Sequence, residues 1–333
     1  MSFPLKRNDS EADTLKVNCP PDVGMDKSYY EIDFTKVKNG TQPDEWRLAD
    51  YTRITYNTLG RTNGAELEFL RKNEAPYMET KFHFLYGRVE TVVQAAPGPG
   101  IVSGMVLWSS DFDEIDWEFR GSMDTIVQTG YFGKGVGPPW NRSTEVKVDQ
   151  PMTKFHTYAL DWNKERLIWE VDGKVIRTLY SKDCNGASIQ YPQSPTKLSL
   201  SLWDAGDPDN YNAWGGGKTP IPPPKGGYSF FVKSVKIWNQ YPAQVYTYTD
   251  KVGNFDSIKR ENKTLASSET MKPSIASSET FKNVPSMSTI PSISPVTTVL
   301  PVSSGMTSDM SSGGAHFPNN TLLEVEMLIR CIL

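Results

Sequence analysis

The chain has 333 residues, of which 38% are hydrophobic and nine are Trp, so it can bury a substantial core in one or two domains. Its 35 basic and 39 acidic residues give a formal net charge of -4, and no stretch concentrates the basic ones. This balance argues against a nucleic-acid or phosphate-rich partner, which would need a basic stripe. The three cysteines, Cys19, Cys184 and Cys331, are too few for a disulfide framework and too far apart for the usual spacing of metal ligands.

Residues 1–27 contain no apolar segment of the kind that a signal peptide requires. Asn-x-Ser/Thr triplets nevertheless permit N-glycosylation in a secretory compartment. These triplets begin at Asn8, Asn39, Asn141, Asn262 and Asn319. Because the two observations conflict, we interpret residues 1–27 as an N-terminal extension that is a truncated secretory region.

From residue 28 to residue 245 the sequence consists of short apolar or alternating runs bounded by Gly, Pro, Asn or Asp. Examples are GRVETVVQAA, GIVSGMVLW, FHTYALDW, RLIWEVDGKVIRTL, TKLSLSLW and YSFFVKSVKIWN. Runs so rich in β-branched and aromatic residues predict strands, and Asp172-Gly173 predicts a tight hairpin turn. Many strands without intervening helical patterns favour an all-β antiparallel sandwich or jelly roll over residues 28–245.

The composition changes in residues 246–333, where Ser, Thr and Pro crowd the segment 264–314 and ASSET at 266–270 recurs at 276–280. Such a segment buries too little apolar surface to offset the entropy lost on ordering. We therefore expect residues 246–333 to be a disordered, O-glycosylated stalk and tail. The final run, TLLEVEMLIRCIL, is too short to span a bilayer, and whether it directs a GPI anchor is left open.

One short stretch, DEIDWEF at residues 113–119, is the main candidate for a catalytic strand. On a strand Glu114, Asp116 and Glu118 would share one face, while the apolar residues between them would face the core. At about 3.3 Å per residue, the Cα atoms of Glu114 and Glu118 lie roughly 13 Å apart. Inward-leaning side chains would bring the carboxyls toward the separation of about 5–5.5 Å used by retaining glycosidases. Three crowded carboxyls cannot all ionise cheaply, so at least one pKa should rise.

Two other interpretations of this acidic face remain open from the residues alone. A solvated outer face of a sheet carries acids in the same alternation, and a calcium site also collects carboxylates. For an arbitrary strand with three acids, the solvated face or the calcium site would be favoured.

The surrounding sequence changes that weighting. APGPGIVSGMVLWSSDFDEIDWEFRG, residues 96–121, resembles the Glu-x-Asp-x-Glu active-site strand of glycoside hydrolase family 16, most closely the fungal Crh-type transglycosylases that join chitin to β-glucan. QTGYFGKG, FHTYALDW, YPQSPTKLSLSLWDAGDP and AWGGG follow in that family's order, so the similarity covers about residues 28–240. The resemblance implies a concanavalin A-like β-jelly-roll with a concave sugar groove. It also implies chitin and β-glucan as partners, chemistry that needs no cofactor or metal, and an extracellular location in the fungal cell wall. Nothing in the sequence demands an oligomer, so we expect a monomer.

The resemblance also assigns roles to the three acids. It makes Glu114 the nucleophile, Glu118 the general acid and then the base, and Asp116 the residue that orients Glu114. Two displacements at one carbon would retain its configuration. The implied reaction cleaves a β-1,4-linked GlcNAc polymer and transfers the glycosyl unit to a β-glucan or chitin-oligosaccharide hydroxyl, with chitin hydrolysis as a side reaction.

Further side chains are candidates for the sugar groove, because aromatic rings stack on sugar C–H faces and polar groups bond hydroxyls. His156 has an alternative interpretation as a satisfied structural residue, and we expect Trp117 to lie in the core. Gly130 stands where many relatives have Asn, which leaves one substrate hydrogen bond in question. The predicted substrate-binding residues are Trp108, Gln128, His156, Trp203, Tyr211 and Trp214, with a structural role as the alternative for the Trp and Tyr residues.

Two other functions fit the sequence. One is a retaining endo-β-glucanase with water as the acceptor, and the other is a catalytically silent carbohydrate-binding wall protein. Transfer and hydrolysis are hard to separate, because the outcome depends on how well acceptor subsites outcompete water. WDAGDP and AWGGG favour the transglycosylase, and the presence of all three acids argues against the silent protein.

Overall fold

The computed structural model describes residues 20–49, 52–135, 142–184, 190–209, 212–250 and 252–262. The predictions for residues 1–19, for Tyr211 and for the Ser/Thr-rich segment 264–314 lie outside this part of the chain. The described secondary structure is almost entirely strand, with short 3-10 turns at Phe34–Lys36, Ser181–Asp183, Ala213–Gly215 and Phe255–Ser257.

The described strands, in chain order, are β1 (Asp22–Val23), β2 (Tyr29–Asp33), β3 (Trp46–Leu48), β4 (Arg53–Tyr56), β5 (Ala65–Phe69), β6 (Tyr77–Thr80), β7 (Gly87–Gln94), β8 (Ile101–Ser109), β9 (Glu114–Arg120), β10 (Ile126–Phe132), β11 (Thr144–Lys147), β12 (His156–Trp162), β13 (Arg166–Val171), β14 (Lys174–Tyr180), β15 (Thr196–Asp204), β16 (Tyr228–Asn239), β17 (Val245–Tyr248) and β18 (Ile258–Glu261).

These strands form two large sheets and one small one. The first has seven strands in the order β11-β10-β9-β8-β15-β6-β3. The second has eight, in the order β14-β13-β12-β7-β16-β5-β4, with β2 pairing alongside β16. Neighbouring strands within each of these described sheets run antiparallel. The predicted all-β antiparallel sandwich is confirmed.

Alternating apolar side chains hold the two large sheets together. Trp117 on β9 meets Tyr158 on β12 with ring centroids 5.2 Å apart, and Phe119 meets the same ring at 4.7 Å. Phe119 also approaches Phe230 on β16 at 6.4 Å. Because these contacts bridge the sheets, the apolar face of the acid-bearing strand lies in the core, where Trp117 was expected.

The predicted hairpin is present between β13 and β14. Asp172 and Gly173 join the strands with φ values of 50° and 75°, and Val171 pairs with Lys174 across the turn. Positive φ at both central residues is the geometry of the tight primed turn for which Asp-Gly is suited.

A third, three-stranded sheet has the order β1-β17-β18. Its first strand precedes residue 28, where the domain was expected to begin, and most of β17 and all of β18 lie beyond residue 245, in the segment expected to be disordered. Tyr246 of β17 is fully buried, and its hydroxyl donates to the backbone oxygen of Tyr241 at 2.8 Å. These strands are only two to four residues long, so they leave little alternation in the sequence. Among the described residues, no helix has the length and apolar character needed to cross a membrane.

Candidate active site

The acid triad, which we define as Glu114, Asp116 and Glu118, lies on β9 between β8 and β10. Its side chains share the face opposite the core, because the alternating residues Ile115, Trp117 and Phe119 belong to the hydrophobic core. All three acids are nearly inaccessible, with exposed fractions of 1%, 0% and 3% in chain order. The strand therefore has the alternation that the sequence predicted, with both of its faces covered.

Strand register decides which side chains stand beside the triad. On β8, Trp108 pairs with Glu114, and on β10, Gln128 pairs with Glu118. Trp108 and Gln128 thus lie on the face of the sheet that carries the acids, and their role in a sugar groove stays a prediction.

The carboxyl of Asp116 is electrostatically perturbed. Its burial, followed by the negative charges of Glu118 and Glu114, raises its pKa well above the usual value. No described residue donates a hydrogen bond to either of its carboxylate oxygens. When protonated, Asp116 instead shares a hydrogen bond with Glu114. Its burial and the two neighbouring glutamates therefore favour the protonated form of Asp116, which can donate to Glu114.

The carboxyl of Asp116 occupies space that Gly130 leaves open. Gly130 pairs with Asp116 across β9 and β10, and a Cβ built there would lie 2.6 Å from both carboxylate oxygens. Trp169 of the second sheet fixes the same point from the core side, since its indole nitrogen donates to the backbone oxygen of Asp116 at 3.0 Å. Gly130 accordingly leaves room for the Asp116 carboxyl in this chain.

Gln128 links the triad to an aromatic loop. Its amide nitrogen donates to Oε2 of Glu118 at 3.3 Å, and its amide oxygen accepts from the indole nitrogen of Trp214 at 3.0 Å. Trp214 stacks on Trp203, with centroids 6.1 Å apart and planes inclined by 13°. Both rings are partly exposed, so the structure brings the predicted platform beside Glu118.

Arg120 holds the Trp214 loop against the sheet. Its guanidinium carbon lies 5.5 Å from the centre of the Trp214 ring, and it also donates to the Trp214 backbone oxygen at 3.4 Å. The guanidinium is ion-paired with Glu145 on β11. No sequence pattern predicts this contact, because Arg120 meets the loop only through the fold.

His156 is not brought to the acidic face. It lies on β12 in the eight-stranded sheet, where one ring nitrogen is 2.7 Å from Asp172 Oδ2 and the other is 2.7 Å from the backbone oxygen of Asp149. Both ring nitrogens are thus engaged, which agrees with the structural interpretation of this histidine. Its motif occurs in sequence between groove segments, but strand order assigns it to the other sheet.

A second buried group, which we call the lysine cluster, consists of Asp111, Asp113, Lys134 and Ser194. The lysine nitrogen lies 2.6 Å from Asp111 Oδ2 and 2.8 Å from Asp113 Oδ2. Asp113 also accepts backbone N–H groups from Lys134, Gln193 and Ser194. Burial alone would lower the pKa of Lys134, but the two aspartates raise it. The cluster anchors two loops to the residue that precedes Glu114, and sequence reasoning missed it.

No group of three or more His, Cys, Asp or Glu side chains in the described ranges is arranged to share a metal ion.

Comparison with known proteins now gives the class. The family model described as Glycosyl hydrolases family 16 matches residues 48–218, just over half of the chain and including the whole triad. The chain therefore belongs to glycosyl hydrolase family 16.

Individual relatives show which members of the family this chain resembles. Crh-like protein 5 of Aspergillus fumigatus is 41% identical over 257 residues, which is 75% of this chain and 61% of that protein. The solved structure titled Apo Crh5 transglycosylase is 40% identical, has a TM-score of 0.67, and covers 74% of this chain and 99% of its own. A second structure, titled Crh5 transglycosylase in complex with NAG, is 41% identical with a TM-score of 0.66, covering 73% of this chain and 97% of its own.

Proposed function

We propose that this chain is a retaining transglycosylase that cleaves a β-1,4-linked GlcNAc polymer and transfers the glycosyl unit to a β-glucan or chitin-oligosaccharide acceptor. The observation that carries the proposal is the buried acid triad, in which the pKa of Asp116 is raised beside two glutamates on one strand face. The sugar class is supported by the relative whose structure is titled as a complex with NAG, the unit of chitin.

The first chemical step uses Glu114 and Glu118. A carboxylate oxygen of Glu114 attacks the anomeric carbon, the glycosidic carbon–oxygen bond breaks, and the leaving oxygen takes the proton of Glu118. In the second step the acceptor hydroxyl attacks the same carbon, the ester bond to Glu114 breaks, and Glu118 takes the hydroxyl proton. Two displacements retain the configuration of the anomeric carbon.

Asp116 positions the nucleophile in this scheme. As a neutral carboxyl it donates to Glu114 and so fixes the carboxylate that attacks. When Glu114 becomes an ester, the negative charge that favours the protonated form of Asp116 falls. The charge of the triad is therefore adjusted as the intermediate forms.

Transfer rather than hydrolysis requires an acceptor that outcompetes water. The partly exposed pair Trp203 and Trp214 offers flat apolar surface beside Glu118, which is suited to hold a sugar ring near the base. We propose chitin and β-glucan as the partners of a monomer that acts outside the cell in the fungal wall.

The test is a mass-spectrometric transfer assay with the full chain, a chitin-oligosaccharide donor and a labelled laminari-oligosaccharide acceptor. A labelled hybrid product that disappears in Glu114→Gln supports the transglycosylase. Shortened donor without hybrid product would make the protein a hydrolase, and no turnover of chitin or β-glucan donors would favour the silent carbohydrate-binding protein.

The two glutamate roles are separated by azide rescue with an aryl β-chitooligosaccharide. Azide should restore Glu114→Ala as the inverted α-glycosyl azide, because it replaces the nucleophile. Azide should give Glu118→Ala the retained β-glycosyl azide, because it replaces the acceptor in the second displacement. The reverse pattern would exchange the two assignments.

A further inference from the structure

The amide of Gln128 has a fixed orientation in this structure. The residue is 6% exposed, and its two amide ends contact Trp214 and Glu118. An indole N–H can only donate, so the atom facing Trp214 must be the amide oxygen. The amide NH₂ group therefore faces Glu118, and no flipped amide satisfies the indole.

The donor that fixes the amide is itself held on several sides. Trp203 stacks on the Trp214 ring, and Arg120 contacts both the ring and the backbone of Trp214. The side chain of Asn212 accepts the Trp214 backbone N–H at 3.1 Å. The indole nitrogen is thus aimed from a loop that several elements brace.

From this geometry we propose that Gln128 is a positioning residue, through which Trp214 orients the carboxyl of Glu118. The proposal rests on the function proposed above, in which Glu118 is the general acid. The chain of contacts runs from the aromatic platform to Trp214 Nε1, through the Gln128 amide, to Glu118 Oε2. A sugar ring that stacks on Trp203 and Trp214 would then also align the carboxyl of Glu118.

The amide also selects which oxygen of Glu118 carries the proton. In a neutral carboxylic acid the carbonyl oxygen is the better acceptor, so an N–H aimed at Oε2 makes Oε2 the carbonyl oxygen. The transferable proton is consequently held on Oε1. Because an amide does not titrate, this assignment does not change with pH.

The strands on either side of Glu118 place different groups beside it. Along β9, Asp116 and Arg120 flank Glu118, and Arg120 is ion-paired with Glu145 on β11. On the other side, the residues in register with Glu118 are Gly104 on β8 and then Ser201 on β15, which carry no charge. The amide is the neutral donor from β10 in this set.

The discriminating variant is Trp214→Phe, which keeps an aromatic ring and removes the N–H. Its kcat/KM on a chitin oligosaccharide, which reports the step in which the leaving group departs, should fall by between about tenfold and about 10²-fold, the range expected when a catalytic group is slightly misplaced. On a dinitrophenyl β-chitooligosaccharide kcat/KM should change little, because that leaving group needs no protonation in the first displacement. Gln128→Leu should repeat this split, and Glu118→Gln gives its full extent.

The matched control is Trp203→Phe, which alters the platform and leaves the Trp214 N–H in place. It should change KM for both donors without a dependence on the leaving group. An equal loss on both donors in Trp214→Phe, or the same split in Trp203→Phe, would overturn the positioning role.

A second readout does not depend on turnover. In a ¹H–¹⁵N spectrum of the full chain, the Trp214 indole signal is identified by its loss in Trp214→Phe. It should shift in Glu118→Gln and no longer respond to that change in a Gln128→Leu background. If the Trp214 indole signal does not shift in Glu118→Gln, the positioning role of Gln128 is refuted. If the indole signal shifts as expected but the protein turns over no donor, the proposed function is refuted while the contact path from Trp214 to Glu118 is supported.

Discussion

Residues 111–118 carry two groups of buried carboxyls that differ in what surrounds them. In the lysine cluster, Asp111 and Asp113 share the Lys134 nitrogen, and backbone N–H groups complete the coordination of Asp113. In the acid triad a few residues later, Asp116 receives no donor from the described residues. Burial raises the pKa of both Asp113 and Asp116, but Lys134 opposes the rise at Asp113, whereas the charges of Glu118 and Glu114 add to it at Asp116.

This difference indicates that the lysine cluster has a structural role and that the acid triad is suited to proton transfer. A buried carboxylate with a cation and several donors is a stable anchor, whereas crowded carboxyls without a cation are driven to share protons. Because Asp113 directly precedes Glu114, the anchored group fixes the backbone of the reactive one. Each prediction below alters one side of this comparison.

The largest expected effect is on the lysine cluster. Lys134→Met should lower the free energy of unfolding by about 3–5 kcal/mol, because it leaves two buried aspartates without their cation. Urea unfolding of the full chain measures this. The control is Lys154→Met, whose ion pair with Asp149 has side chains 51% and 71% exposed and should contribute less than about 1 kcal/mol. Equal losses in the two variants would contradict the anchoring role.

The second prediction concerns the activity of Asp116. Asp116→Ala should lower kcat by about 10²-fold, as for the loss of one oriented donor, and Asp116→Asn should retain more activity because its amide still donates to Glu114. Steady-state transfer assays measure both variants. Equal activities in Asn and Ala would show that donation is not the role of Asp116.

The same residue makes a prediction about stability and pH. A raised folded-state pKa means that the folded chain keeps a proton that the unfolded chain releases, so this group lowers stability as pH rises above its ordinary value of about 3.9. Asp116→Asn should therefore raise Tm relative to the wild type at pH 7 and not at pH 3. Thermal unfolding at both pH values provides the measurement, and a gain that is independent of pH would point to packing instead.

Gly130→Ala should cost about 1–3 kcal/mol, because its Cβ would lie 2.6 Å from the Asp116 carboxyl. The loss should shrink in an Asp116→Ala background, where the obstructing oxygens are gone. A double-mutant cycle of unfolding free energies measures the coupling. If the two losses simply add, the close approach is not their cause.

The smallest effect should come from His156→Ala. Losing its contacts to Asp172 and Asp149 should cost about 1 kcal/mol. Transfer activity should be unchanged, since the residue lies in the sheet without the triad. A loss of transfer activity without a loss of stability would instead support the interpretation of His156 as a substrate-binding residue.

Local pattern was sufficient for much of the fold. The runs at 87–96, 100–108 and 166–179 correspond to strands, and Asp172-Gly173 forms the predicted turn. The third sheet escaped prediction because its strands are too short to show a period. The lysine cluster escaped because Lys134 and Ser194 are far from Asp111 in sequence.

The sequence by itself determined that Glu114, Asp116 and Glu118 share a face, because side chains alternate along any strand. It also determined the family, because motifs in a fixed order survive without coordinates. Tertiary structure decided that Asp116 leans over Gly130, that Gln128 points its NH₂ group at Glu118, and that His156 belongs to the other sheet. Register and strand order set these contacts, and both depend on the packing of all the strands together.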